Sequence, residues 1–401
     1  MPCPLTLQTI TTVKATVPAL EAHGLDITRC MYARLFQDPA MRDLFNQSHH
    51  GETGSQPKAL ANAVLAYARN IDNLGALTGA VERIAQKHVG LNILPEHYPA
   101  VAEALLGAIQ DVLGAAATPE ILAAWGEAYW FLANLLIGRE QQLYQAQASA
   151  PGGWSGWRDF AVVDRIRESE VITSFILKPV DGGTVLRHRP GQYLTFWLEL
   201  PGRPPLKRNY SISSGPGDAA YRISVKREPQ GAASGWLHDT VEKGAVLKVA
   251  APAGDFFLPD APPRPVVLLS GGVGQTPFLS MLQAAAAQPA GPAVQFVHGT
   301  QSGATHALGA EARALATASG GRIQVTTFYE GPRPQDRGHD LEGRITPEWL
   351  AANTPLAGAD YYLCGPRDFL RGFVAALRRL GVPAAQIHHE FFGPADELLV
   401  A

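Results

Sequence analysis

The hydrophobic period of this 401-residue chain changes twice, and no single continuous fold accommodates all three patterns. In the first third, apolar residues recur at helical spacing. Leu7, Ile10, Val13, Val17 and Leu20 form one stripe, which His23-Gly24 should stop. Asp26 then has the character of an N-cap for a helix over residues 27–37, ended by Asp38-Pro39. Leu60, Val64, Tyr67 and Ile71 mark another helix. Val101, Leu105, Ile109 and Val112 mark one more. Thr118 caps a long helix with Pro119 in its first position, running through Trp125, Tyr129, Leu132 and Leu136 towards Tyr144. Residues 1–147 therefore read as an all-α domain.

Residues 148–157 are small and Pro/Gly-containing, without helical period, and read as a linker. Beyond them the period is two. Residues 171–177, 193–197, 210–213, 221–225 and 246–249 are strand-like, with Asp181-Gly182-Gly183, Pro190-Gly191 and Pro216-Gly217-Asp218 between them. Such closely spaced short strands predict an antiparallel β-barrel over 158–262. A third pattern fills 263–401. Val266-Val267-Leu268-Leu269 is continuously apolar and is followed by a Gly-rich loop and a helix through Leu279 and Leu282. The segments 294–298, 323–328 and 361–363 continue the alternation of an α/β parallel sheet.

Composition narrows the partners. With 46% hydrophobic and 17% charged residues the chain can bury ordinary cores. A net charge of -3, with no basic stripe among aromatics, argues against nucleic acid. No apolar run is expected to reach the length of a membrane span, and Met1-Pro2-Cys3-Pro4 lacks the features of a signal peptide. Cys3, Cys30 and Cys364 are too scattered for a disulfide framework or a zinc pattern. The expectation is a cytoplasmic protein without stable membrane association.

Several residues stand where chemistry is placed. His88 follows Val81, Ile84 and Ala85 at helical spacing, so its ring falls on the apolar stripe. A ring there must be hydrogen-bonded or bound to a metal; taken alone it reads better as a satisfied core histidine, and the motifs along the rest of the chain favour a ligand. Gly271-Gly272-Val273-Gly274-Gln275-Thr276-Pro277 follows a buried strand and opens a helix, an arrangement that lets backbone amides approach a pyrophosphate. A tight turn is the plainer reading, and Pro277 replaces the third glycine of the dinucleotide fingerprint. Cys364-Gly365-Pro366 repeats the strand–loop–helix pattern, which favours a site facing nicotinamide over a core thiol. In Arg208-Asn209-Tyr210-Ser211 a guanidinium suited to phosphate sits beside a ring that can stack. Arg189-Pro190-Gly191-Gln192-Tyr193 lies just upstream. Tyr129, Ala133, Leu136 and Glu140 share one helical stripe, which brings the carboxylate near the buried face unless it lies at a solvated helix end.

In order, Arg-Pro-Gly-Gln-Tyr, Arg-x-Tyr-Ser, Gly-Gly-Val-Gly-Gln-Thr-Pro and Cys-Gly-Pro resemble a flavin reductase of the ferredoxin–NADP reductase superfamily. With the Gln86-Lys87-His88 helix in an all-α domain ahead of them, nearly the whole chain resembles a flavohaemoglobin. The resemblance implies haem b, FAD and NAD(P)H as cofactors and nitric oxide and dioxygen as small-molecule partners. It implies nitric oxide dioxygenation to nitrate, in a monomer. A gas or redox sensor kept ferrous by its reductase is the alternative, as is a lipid peroxide or quinone reductase with lipid in the haem pocket.

Residue by residue, the resemblance makes His88 the proximal iron ligand, with Tyr98 and Glu140 behind it and Lys87 as an electrostatic neighbour. Tyr32 takes the distal side, with Phe45 against the porphyrin and Gln56 and Leu60 completing the pocket. His49 and His50 are weaker candidates as iron ligands. Tyr193, Arg208, Asn209, Tyr210 and Ser211 contact FAD, with Ser234 from the short loop 227–236. Glu390 lies between flavin and haem, and Phe391, Phe392 and Gly393 complete the flavin contacts, Phe392 against the isoalloxazine. His389 departs from the family's common tyrosine. Gly271 to Pro277 and Cys364, Gly365 and Pro366 bind NAD(P).

Overall fold

The computed structural model describes residues 5–45, 55–217 and 219–393. His49 and His50 lie outside them. The chain divides into two compact units, one built on residues 1–149 with the short stretch 201–207, the other on 150–200 and 208–393.

The first unit is helical. α1 (Leu7–Ala15) and α2 (Val17–Leu35) are followed by α3 (Pro39–Arg42), α4 (Ser55–Arg69), α5 (Thr78–Gly90), α6 (Tyr98–Leu113) and α7 (Pro119–Ser149). The first break differs from the expectation. It falls at Thr16, whose hydroxyl donates to the Val13 carbonyl, and α2 opens at Val17 with Pro18 in its first turn. α2 then runs straight through His23-Gly24. Gly24 is buried, and an added Cβ there would lie 3.8 Å from Ala61 on α4. Burial along α2 outweighs the roughly 1 kcal/mol that glycine costs a helix. Asp26 is consequently mid-helix and 3.9 Å from Arg29 in an ion pair, not an N-cap. Asp38 does cap α3, accepting from Ala40 N at 2.8 Å, and Thr118 receives the amide of Ile121 at 3.3 Å.

Two helical stretches, Pro95–Ala116 and Pro119–Ser149, are long and apolar enough to cross a membrane by length and composition. This corrects the expectation that no run reaches that length. Alanine raises their hydropathy, and α6 lays Leu105, Ala108 and Ile109 into the helical core.

The second unit holds two six-stranded sheets. The first contains β1 (Trp157–Arg167), β2 (Ile172–Pro179), β3 (Tyr193–Leu198), β4 (Leu206–Ser211), β5 (Tyr221–Lys226) and β6 (Val246–Ala250), in the order β4-β3-β6-β1-β2-β5. Its observed pairings are antiparallel, and the bridge Ile212↔Ile223 joins the end of β4 to β5, closing the sheet into the expected barrel. β1 was not anticipated. Its charged residues obscure the alternation, although Phe160 and Val162 are fully buried.

The second sheet contains β7 (Val266–Gly271), β8 (Val294–Thr300), β9 (Ile323–Tyr329), β10 (Leu341–Glu342), β11 (Asp360–Cys364) and β12 (Ile387–Glu390). It is parallel, in the order β10-β9-β8-β7-β11-β12. All six residues of β7 are buried, as a strand covered on both faces requires. The chain builds outward from β7 through β10, then returns to β11 on the other side. The carboxyl ends of β7 and β11 thus flank a topological switch point, where open α/β sheets bind ligands.

Candidate functional site

In the helical unit, α5 presents His88 and α7 presents Glu140. A surface clamp sets the two helices against each other: Arg139 donates to Glu82 at 2.6 and 3.0 Å, and Gln86 donates to the same carboxylate at 2.9 Å. Glu140 is 2% exposed, so its carboxylate needs internal donors. It has two on Oε1, the His88 Nδ1 at 2.8 Å and the Tyr98 hydroxyl at 2.7 Å. An ionised carboxylate only accepts, which fixes the histidine tautomer with its proton on Nδ1. Nε2 then carries the lone pair and has no hydrogen bond among the described residues. Burial, and after it the Glu140 charge, pushes the Tyr98 hydroxyl far above its ordinary pKa, so it remains a donor.

His88 is less buried than its stripe position implied, with 31% of its side chain exposed. The ring is held at one edge while the other is available. A carboxylate behind a histidine whose opposite nitrogen is free is the outer arrangement of a histidine-bound metal, so the residues fit haem iron at Nε2. Tyr129 and Tyr144 support the site from behind, donating to the carbonyls of Tyr98 and Ile93 at 2.7 and 2.8 Å. Neither was identified from the sequence, because a tyrosine on an apolar stripe does not reveal which carbonyl it serves. Lys87 lies on the exposed face of α5.

An aromatic cluster forms around Tyr32, which is 6% exposed. Its ring is 5.8 Å from Phe45, edge-on, and 5.4 Å from Phe36. Burial pushes the Tyr32 hydroxyl up to about 12, opposed by a hydrogen bond with Gln56. Leu60 packs against the helical core that contains Tyr32. Tyr32, Phe45, Gln56 and Leu60 are therefore together as the resemblance implied, with Phe36 as an addition. Among the described residues named here the cluster offers one hydroxyl and one amide amid aromatic rings, an environment suited to small uncharged ligands.

In the second unit the two glycine loops meet. A one-turn 3-10 segment (Gly272–Gln275) leads into α9 (Thr276–Ala286). Gly272 has φ +55°, which favours glycine, and an added Cβ on Gly274 would overlap the carbonyl of Cys364. On Gly271 it would come within 3.1 Å of Pro366. The β7 and β11 loops can approach this closely only because side chains are missing. The helix N-terminus beneath them suits a pyrophosphate. Gln275 is 1% exposed and neither end of its amide has a protein partner, an arrangement that fits a polar ligand group. The Cys364 thiol, by contrast, is fully buried in the apolar core, and burial pushes its pKa well up. Its carbonyl, not its sulfur, shapes the loop.

On β4, alternation puts Arg208 and Tyr210 on one face and Asn209 and Ser211 on the other. Asn209 accepts from the Thr195 hydroxyl at 2.9 Å. The Tyr210 ring lies 5.7 Å from Phe196, edge-on. The Tyr193 hydroxyl is buried without a hydrogen-bond partner, which fits an acceptor or donor on a flavin. Burial raises its pKa, and the charges of Glu390 and Asp255 add to the effect. Glu390 ends β12 opposite Cys364. Beyond it Phe392 is 48% exposed, while the Phe391 ring covers Gly393. Ser234 lies in α8 (Ala232–Asp239), a helix missed in the sequence because Gly231 and the small residues after it read as loop. Its hydroxyl accepts from Glu228 N at 3.1 Å and lies 3.3 Å from the Gly231 carbonyl, so it already organises its own loop.

Comparison with known proteins agrees with both units. Residues 29–135 match the globin family and 268–374 match the oxidoreductase NAD-binding domain. The chain is similar to the flavohemoprotein of Xylella fastidiosa strain 9a5c, 55% identical over 98% of both chains. It is 47% identical to that of Burkholderia sp. strain TH2, over 96% of this chain and 98% of the relative. Among solved structures, the flavohemoglobin of Malassezia yamatoensis with bound FAD and heme is similar over 97% of this chain and all of its own. The TM-score is 0.86 at 27% identity. The FAD/NAD-binding domain of the nitric oxide dioxygenase of Vibrio cholerae matches 59% of this chain and 99% of its own, with 38% identity and a TM-score of 0.54.

Proposed function

Since the chain belongs to the flavohemoproteins, we propose that it is an NAD(P)H-dependent nitric oxide dioxygenase. It would convert two nitric oxide and two dioxygen to two nitrate for each NAD(P)H consumed. The observation that carries this reading is the pair of opposed environments in the helical unit. His88 is held by a buried carboxylate, and the Tyr32 hydroxyl lies within a mainly aromatic cluster. Name-level support comes from the Vibrio cholerae relative, whose reductase domain belongs to a nitric oxide dioxygenase.

When bound, haem supplies the iron at which the two gases react, FAD splits a hydride's electron pair into single electrons, and NAD(P)H supplies the hydride. The chain's own residues do the rest. Glu140 holds the proton at His88 Nδ1, so Nε2 would be the electron-rich donor to a bound iron. Tyr98 donates to the same oxygen and prevents the carboxylate from rotating away. Tyr32 stays protonated over the whole physiological range and would donate to a ligand carrying partial negative charge. The aromatic rings of Phe36 and Phe45 exclude water from that side. In the reductase, Arg208 and Tyr210 share the face that would bind phosphate and flavin ring. Gly271, Gly272 and Gly274 let the coenzyme backbone lie against the β7 and β11 loops.

The test is the stoichiometry of the holoprotein, followed by nitrate assay and NADH absorbance under mixed nitric oxide and oxygen. Nitrate formed at twice the NADH consumed supports the reading. NADH oxidation without nitrate contradicts it and returns the protein to an oxygen sensor or a peroxide or quinone reductase.

A further inference from the structure

In the reductase unit the flavin residues stand on the barrel and the coenzyme loops on the parallel sheet. A hydride passes between the two cofactors only if barrel and sheet are fastened at a fixed spacing. Reacting atoms must come within about 3–3.5 Å, and a misplacement of about 1 Å can cost about a hundredfold in rate. A polar cluster outside the cofactor contacts described above does the fastening.

It begins where the flavin strand ends. After β4, Ile212 bridges to Ile223 and the Ser213 amide donates to the Arg222 carbonyl at 2.8 Å. Ser214 and Gly215 then lie against α9, the helix that starts from the glycine loop. An added Cβ on Gly215 would come within 2.8 Å of the Gln283 Cβ, and the Gly215 amide donates to the Gln283 side-chain oxygen. One turn earlier on α9 is Ser280, fully buried, and its hydroxyl lies 3.0 Å from His188 Nε2, which is also 3.1 Å from the Ser214 carbonyl.

The Gln283 nitrogen donates to Glu311 on α10 (Gly309–Ala318). That carboxylate also accepts both terminal nitrogens of Arg222 on β5, at 2.7 and 3.2 Å. Arg222 in turn donates to the Ser213 carbonyl, and to the Ser213 hydroxyl at 3.2 Å. With its side chain 14% exposed, Arg222 is largely shielded from water, where a bidentate ion pair is at its strongest and most directional. Ser213, Arg222, Glu311, Gln283 and Gly215 thus close a ring across β5, α9, α10 and the β4–β5 connection.

We propose that Arg222, Gln283 and Glu311 are positioning residues for hydride transfer. The ring fixes the end of β4 against α9, and so sets the separation between a flavin beside Tyr210 and a nicotinamide at the glycine loops. In that step the hydride leaves nicotinamide C4 with its bonding pair and joins flavin N5. NADH becomes NAD⁺, and a solvent proton completes the reduced flavin. None of the three residues is among the cofactor contacts assigned above, so they act through spacing alone. The inference rests on that assignment of flavin and coenzyme residues, and not on the fate of nitric oxide.

Anaerobic stopped-flow reduction of the flavin by NADH, on protein carrying haem and FAD, tests it. Glu311→Gln should lower the limiting rate at saturating NADH about tenfold or more, with the half-saturating NADH concentration unchanged. The long-wavelength absorbance of NAD⁺ stacked on reduced flavin, which reports their spacing, should weaken with it. Arg222→Lys keeps the charge without the fork, and Gln283→Leu keeps the ion pair without its link to Gly215; both should lose less. Limiting rates and long-wavelength absorbance unchanged in all three variants overturn the proposal. A loss that missing FAD or a raised half-saturating concentration accounts for in all three does so too. Wild-type flavin that NADH fails to reduce overturns the cofactor assignment together with the proposal. Wild-type flavin that is reduced, in a protein that forms no nitrate, overturns the dioxygenase reading and leaves the positioning role supported by the variant rates.

Discussion

The two units solve the problem of placing reactive groups in opposite ways. In the helical unit the site is made of side chains 42 and 52 residues apart, joined through the single oxygen Oε1 of Glu140. In the reductase it is made of backbone, where glycines at the ends of β7 and β11 let two loops come together. The first site fails when one side chain loses its partner. The second fails when a side chain is added. Polar networks therefore locate the helical site, and steric exclusion locates the reductase site.

The largest effects should separate the units completely. His88→Ala is expected to abolish haem retention while leaving NADH–ferricyanide turnover intact, measured as haem-to-protein ratio beside diaphorase rate. Loss of both activities would break the contrast. The mirror experiment is Gly274→Val, which forces a branched side chain into the Cys364 carbonyl. Flavin reduction by NADH should fall by more than tenfold in stopped-flow absorbance, with haem content unchanged. FAD content of the same sample shows whether the barrel has survived.

Within the helical unit, intermediate effects rank the two environments. Glu140→Gln keeps an acceptor but removes the charge, and should cost about ten- to hundredfold in haem affinity or turnover. Flavin reduction should not change. Tyr32→Phe should raise the oxygen off-rate about tenfold or more, as a hydrogen bond to a charged partner contributes about 1.5–3 kcal/mol. An unchanged off-rate in flash photolysis would remove Tyr32 from the ligand side.

The contrast was only partly legible in the sequence, for a physical reason. Backbone sites occupy contiguous residues, so Gly271 to Pro277 and Cys364-Gly365-Pro366 announce themselves with their flanking strand and helix. Side-chain sites do not. Glu140 could be placed on a buried stripe, yet its joining with Tyr98 and His88 came from family resemblance. Gln275 sat inside a recognised motif, but its buried, unpartnered amide depends on three-dimensional surroundings. The α1–α2 boundary was misplaced because Gly24 was read by propensity, whereas burial against α4 decides it. β1 escaped notice because the adjacent charges Arg158-Asp159 and Asp164-Arg165 interrupt its alternation. Cys364 illustrates the converse: position in a motif pointed to its thiol, and the fold uses its carbonyl.

The smallest expected effect concerns acid. In the reductase, burial lowers His188 and His306 to about 4, and His298 well below its ordinary value. These rings are neutral when folded and bind protons more readily when unfolded. Their contribution is full above about pH 6.5 and declines as pH falls towards 4. In the helical unit His97 shifts in the same direction, also through burial. Scanning calorimetry between pH 7 and 5 should therefore lower the reductase transition by several degrees, more than the globin transition. Equal shifts would remove this difference between the units.

The most direct test of the account is the electron path from nicotinamide to the haem that His88 would hold. NADH is added without oxygen to protein carrying haem and FAD, and the spectrum is followed from 350 to 650 nm. Flavin bleaching followed by a shift of the Soret band to the ferrous position is the predicted result. A flavin that bleaches beside a haem that stays ferric would contradict it.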